Sequence, residues 1–157
     1  MTEQQKPAGP QLGLQRVYTK DVSFESPNTP QIFREEWKPD VNVELSNNAN
    51  KLDDKNYEVE LTVTITVKVG EKTAYLAEVK HAGIFTMDGF AEEAKEGVLG
   101  SYCPSVIFPF AREAIADLIQ KGGFPPFYLQ PVDFNALYAQ HIQQQQTTDK
   151  KSDEVKH

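Results

Sequence analysis

The sequence predicts an α+β fold: a four-stranded antiparallel sheet with helices packed on one face. Three observations carry that prediction. From Tyr57 to Val69 every odd position is apolar, while Glu58, Glu60, Thr62, Thr64, Thr66 and Lys68 fill the even ones. That period of two belongs to a half-buried strand. After Gly70 and Glu71 the alternation resumes at Thr73, Tyr75, Ala77 and Val79, as a hairpin requires. From Ile107 the spacing changes, and Ile107, Phe110, Ala111, Ala114, Ile115 and Leu118 form a helical stripe. Strands followed by helices place this chain in the α+β class.

Each element can be justified in turn. A first strand begins at Leu14, with Leu14, Tyr18, Val22 and Phe24 on one side, interrupted by Arg16 and Lys20. Thr19, Asp21, Ser23 and Glu25 form its polar side. Pro27 and Pro30 end the strand, and a crossover segment follows through Phe33, Trp37 and Pro39. Val41, Val43 and Leu45 alternate next, and Asn47, Asn48 and Asn50 mark a turn. The strand from Tyr57 to Val69 would span roughly 44 Å at about 3.4 Å per residue, which predicts a twist or bend. Met87 to Leu99 has weak helical character because of its glycines. Pro104 suits a helix start, Pro109 predicts a kink or restart, and Gly122-Gly123 a stop. Asp133 is the expected N-cap of a last helix carrying Phe134, Leu137, Tyr138 and Ile142. The expected organisation is a disordered tail over 1–13, one domain over 14–142, and a disordered tail over 143–157.

Composition restricts the function. The net charge of −7 argues against nucleic acid and anionic membranes as main partners. One cysteine, Cys103, excludes an internal disulfide, and neither a signal peptide nor a membrane span is legible. These features predict a soluble cytoplasmic protein. No phosphate loop, nucleophile elbow or metal-ligand spacing occurs. Cys103 and His81 are the sole conceivable nucleophile and base, and a free cysteine beside an aromatic is ordinarily a small buried hydrophobe. His81 reads as a packing residue at an element end. The residues thus predict a binding protein, not an enzyme, with no cofactor and no metal.

Two places invite a binding role. Asp21 and Glu25 share a strand face, and Leu76 lies beside Glu78 on the polar face of a later strand. A solvated face with one stray leucine and an acidic docking surface with an apolar centre both fit that pattern. Residues 102–131 hold half of the ten prolines and six of the aromatics, among them Phe124 and Phe127. With Phe33 and Trp37 these rings form either ordinary core or the wall of a groove.

The segments Gln15–Pro30 (QRVYTKDVSFESPNTP), Tyr102–Glu113 (YCPSVIFPFARE) and Gly122–Tyr138 (GGFPPFYLQPVDFNALY) resemble the SecB family of protein-export chaperones. The resemblance runs from about Leu14 to Gln143. It implies a homotetramer, a dimer of dimers, that holds unfolded precursor polypeptides without nucleotide and passes them to the translocation ATPase SecA. It puts the contact for the zinc-bearing tail of SecA on Asp21, Glu25, Leu76 and Glu78. It puts the client groove on Trp37, Ile84, Phe85, Phe124, Phe127 and Leu129. The rival expectation is a small-ligand or lipid-binding α+β domain, whose cavity would use the same aromatics.

Overall fold

The computed structural model describes residues 9–154, so residues 1–8 and 155–157 of the two expected tails lie outside the described residues. The chain forms β1 (Gln11–Glu25), a 3-10 turn (Gln31–Arg34), β2 (Pro39–Lys51), β3 (Asn56–Val69) and β4 (Lys72–Asp88). Helix α1 (Glu92–Gly97), a π turn (Val98–Tyr102), α2 (Cys103–Lys121) and α3 (Phe134–Glu154) follow. The four strands lie in the order β1-β4-β3-β2, every neighbour antiparallel. β2, β3 and β4 are a meander, and the crossover after β1 sets that strand beside β4, a Greek-key arrangement.

The odd residues of β3 make the core. Val59, Leu61, Val63, Ile65 and Val67 are fully buried, as are Ile107, Ala111, Ile115 and Ile119 of α2. The apolar stripe of α2 therefore covers the apolar face of the meander. Phe110, expected in that stripe, is instead 48% exposed. Among the described residues no helix covers the opposite face of the sheet, which presents the threonines and charges of the even register.

The structure departs from the sequence expectation at five places. β1 begins at Gln11, inside the expected tail, with Leu12 paired to Met87 of β4. It also carries two β-bulges, at Gln15 and Lys20, where its register against β4 shifts. Each bulge inserts one extra residue, so the parity of the apolar side changes twice. Tyr18 thereby turns to the helix-free face, opposite Ala82, and Val17 and Thr19 turn inward. β2 continues through the asparagines to Lys51, and the turn falls at Asp53, whose Oδ1 accepts from the Lys55 and Asn56 amides at 2.9 Å. An Asx turn thus sits where strand pairing ends, not where asparagine is densest.

Met87 is the penultimate residue of β4 and is buried, so the weak helical segment starts only at Glu92. α2 runs unbroken through Pro109. α3 is capped as expected, with the Ala136 amide donating to Asp133 Oδ1 at 3.1 Å. It stays helical through Glu154, well into the segment expected to be disordered from Gln143. Glutamine, lysine and aspartate give that segment no apolar face, but none of them breaks a helix already started by Phe134, Leu137 and Tyr138.

Candidate docking face and apolar groove

The register of β1 against β4 assembles the acidic residues. Glu25 pairs with Leu76, Ser23 with Glu78, and Asp21 with Lys80, all on the helix-free face. Residues directly opposite in antiparallel strands share a face, with Cβ atoms about 4.5–5.5 Å apart. Asp21, Glu25, Leu76 and Glu78 therefore stand together, as the acidic-surface expectation requires. Leu76 is 36% exposed, an apolar side chain ringed by polar ones. Glu78 is oriented by Thr64 of β3, whose Oγ1 donates to Glu78 Oε2 at 2.9 Å. Sequence reasoning put Ser23 and Thr64 on polar strand faces but not beside Glu78, and it missed Lys80, because cross-strand neighbours are fixed by register and not by proximity in the chain.

A second polar group lies beside it. Lys20 Nζ donates to Glu58 Oε1 at 3.0 Å and to Glu60 Oε1, and the Tyr18 hydroxyl donates to Glu58 Oε2. These hydrogen bonds, Tyr18's first and Lys20's next, pull the Glu58 carboxyl down to about 2 from its ordinary 4.5. Desolvation and the same carboxylate push the Tyr18 hydroxyl up to about 12. The bonds to Glu60 and Glu58 hold the Lys20 ammonium above its usual value. Tyr18, Lys20 and Glu58 thus keep their usual charge states throughout the physiological range.

The groove candidates fall on both sides of the sheet. Phe124 is 5% exposed at the centre of an aromatic cluster, its ring centroid 4.8 Å from Tyr75, 5.0 Å from Phe33, 5.7 Å from Trp37 and 6.4 Å from Phe24. Gly122 and Gly123 make that cluster possible. The Phe24 ring occupies the space where a Gly122 side chain would stand, and Phe33 packs over Gly123. Gly123 has φ +85°, and the Phe124 amide bonds the Ile119 carbonyl at 3.3 Å, a Schellman-type stop. Leu129 and Phe85 are buried as well. Trp37 and Phe127 are half-buried against the same core, and Phe33 is half exposed. Ile84 precedes Phe85 on β4 and points to the opposite face, paired with Arg16 and Glu58. Among the groove candidates Trp37 and Phe127 are thus the accessible rings, with Phe33 beside them. Phe124 packs beneath Trp37 and Phe33, whereas Phe85, paired with Leu14 and Tyr57, is buried at the other end of β4 from Tyr75.

A separate cleft of about 420 Å³ opens between α3 and β2, lined by Leu45, Leu61, Phe134 and Leu137 but also by Gln140 and Gln144. α3 approaches the π turn here, and the Tyr138 ring lies where a Gly100 side chain would project.

The remaining candidates are structural. Cys103 is fully buried, and that burial pushes its thiol up to about 12, which withholds the thiolate. His81 sits in the middle of β4, not at an element end. Its Nδ1 lies 3.2 Å from Thr19 Oγ1 and its ring stacks on Phe110 at 6.1 Å. Burial lowers its pKa, favouring the neutral ring. Among the described residues no group of metal-ligating side chains converges, and no helix is long and apolar enough to cross a membrane.

A polar sheet face with an acidic patch, set apart from a partly exposed aromatic cluster, gives this α+β domain the surfaces of a binding protein. The comparisons sharpen that class. Residues 3–145 match the family described as preprotein translocase subunit SecB. A protein-export protein SecB from Nitrosococcus oceani is 52% identical over 87% of this chain and 85% of its own length. Those from Marinobacter nauticus and Methylococcus capsulatus are 48% and 50% identical, each over 93% of this chain and over 92% and 94% of their own lengths. The fold is shared with a SecB-like chaperone from Mycobacterium tuberculosis solved with a ChAD peptide from the HigA1 antitoxin. That likeness has a TM-score of 0.65 and 14% identity, covering 77% of this chain and 90% of the other. The chain belongs to the SecB family, a family of protein-export chaperones and not of enzymes.

Proposed function

We propose that this chaperone works in the cytoplasm as an ATP-independent holdase. It binds unfolded precursor polypeptides on the helix side and delivers them to SecA through the acidic sheet face. The register that sets Asp21, Glu25, Leu76 and Glu78 on one uncovered face carries this reading. A flat acidic patch with an apolar centre complements a basic partner segment such as the zinc-bearing SecA tail. Trp37 and Phe127, with Phe33 beside them, offer apolar area for client segments over the buried Phe124 and Leu129, while Phe85 is buried at the other end of β4. Ile84 belongs to the other face and is left out of that groove.

The homotetramer, a dimer of dimers, fits two further observations. Leu14 and Val22 lie on the helix-side register of β1 yet are 45% and 50% exposed, and Tyr102 and Phe110 of the helical layer are also open. Such apolar exposure along a 15-residue edge strand suits burial against another copy. Several grooves on one assembly would hold a long client through weak contacts at high effective concentration. The small-ligand alternative gains no support from the α3 cleft, whose walls include Ser46, Asn47, Gln140 and Gln144.

Stoichiometric tetramer, its mass fixed by light scattering, is expected to delay aggregation of an unfolded precursor in the absence of ATP. No delay would refute the holdase function.

A further inference from the structure

We infer that Lys20 is a positioning residue for the acidic docking face: tied to Glu58 and Glu60, it holds the β-bulge that turns Asp21, Ser23 and Glu25 outward. The inference rests on the proposed role of that face.

The geometry starts with the bulge. Thr19 pairs with His81 and Asp21 with Lys80, leaving Lys20 as the unpaired extra residue. Upstream of it Thr19 faces the helices and Tyr18 faces out; downstream Asp21 faces out and Val22 faces in. Without the insertion, strand alternation would carry Asp21, Ser23 and Glu25 toward the core and put Val22 and Phe24 on the docking face. The acidic face therefore depends on one inserted residue.

The extra residue is anchored. In the ladder Tyr18 pairs with Ala82, and Ala82 pairs with Glu60, so β4 lies between Lys20 and its carboxylates. Two inter-strand spacings are roughly 10 Å, a distance a lysine crosses only over a small intervening side chain. Ala82 supplies it, and its complete burial on a helix-free face reflects the side chains that pass above it. Glu58 is gripped from both oxygens, by Tyr18 and Lys20, and the carboxylates of Glu58 and Glu60 are largely shielded, at 14% and 10% side-chain exposure. The first bulge is built alike. Gln15, its extra residue, donates to Thr86 on β4 and, across β4, to Asn56 Oδ1 on β3 at 3.1 Å. In both bulges a long polar side chain ties the inserted residue to the strand beyond its neighbour.

Charge alone and positioning make opposite forecasts. Lys20 is a cation next to Asp21, so removing it leaves the face more acidic and, by charge, more attractive to a basic partner. If Lys20 holds the bulge, removing it loosens Asp21 and Glu25 and weakens the same partner.

The test measures binding of the zinc-loaded SecA tail peptide to the full-length protein and its Lys20→Met, Lys20→Arg, Tyr18→Phe and Glu78→Lys variants. Melting curves and mass accompany each variant. Lys20→Met is expected to bind about fivefold or more weakly while still folded, and Lys20→Arg to stay within about twofold of the parent. Equal or tighter binding by Lys20→Met overturns the inference. Should Lys20→Met fail to fold, Tyr18→Phe decides, because it loosens Glu58 without changing any charge. Binding weaker by about twofold or more then supports positioning, and unchanged binding refutes it. Glu78→Lys tests the face itself: if that variant binds normally, the docking role falls and the role of Lys20 with it. If Glu78→Lys binds weakly and Lys20→Met normally, the docking role stands and only the present inference fails.

Discussion

On the helix-free face Asp21, Glu25, Leu76 and Glu78 come together through strand register, while on the helix side Phe24, Phe33, Trp37 and Tyr75 come together through packing around Phe124. Register is a discrete property. One residue more or less in β1 exchanges the two faces completely, and the ends of Asp21 and Glu25 need no neighbours to define them. Packing is graded, and every other ring in the aromatic cluster leans on Phe124. The acidic face should therefore tolerate surface substitutions that leave the bulges intact. The aromatic cluster should transmit a change at its centre to every ring it contains.

The largest expected effect lies at that centre. Phe124→Ala removes the shared partner of four rings and is expected to cost about 3–5 kcal/mol, read as a lower denaturation midpoint. Phe127→Ala, at the half-buried rim, is expected to lower client affinity with a far smaller loss of stability. Equal destabilisation by the two would erase the distinction between support and rim. Glu78→Lys should weaken the SecA tail by about tenfold or more with no change in client binding, since it reverses a charge without touching the packed side. A parallel loss of client binding, measured on the same tetramer, would mean that the two faces are not independent.

Gly122→Ala comes next. Its new methyl group meets the Phe24 ring, which is itself packed on Tyr75 at 5.8 Å, so a loss of about 1–3 kcal/mol is expected in thermal melts. An unchanged midpoint would show that the cluster yields more easily than its packing implies. The smallest effect concerns pH. Glu58 is held at about 2 against an ordinary 4.5, so its bonds stabilise the fold fully above about 4.5 and lose that contribution as the pH falls toward 2. Tyr18→Phe should accordingly lower stability by about 1 kcal/mol near pH 6 and by progressively less toward pH 3. A difference that grows in acid would contradict the assignment.

Much of this was legible beforehand, for identifiable reasons. Alternation from Tyr57 to Val69 marks a strand because side chains point to opposite faces at every step, and the whole set of its odd positions is buried. Asp133 caps α3 because a short carboxylate before a helix has few better partners than the free amides. Phe124 was harder. Its flanking prolines correctly exclude regular structure, yet a ring in a proline-rich connection can point either way, and only its neighbours turned it inward. Ile84 was assigned to the groove with Phe85 although adjacent strand residues cannot share a face, a conflict visible from the period of two. Lys20 left one trace in the sequence. It interrupts the apolar parity of β1, and that interruption is the bulge.

The sequence by itself determined the fold class, the apolar side of β3, the helical stripe of α2 and the resemblance to protein-export chaperones. All of these depend on local periodicity or on contiguous motifs. Only the tertiary structure decided which residues of different strands stand side by side, that Tyr18, Lys20, Glu58 and Glu60 form one network, and that Phe124 is a support rather than a surface. Those outcomes depend on register shifts and on the close approach of distant segments. Their physical origin is a sum of contacts over the whole sheet, which no single stretch of chain contains.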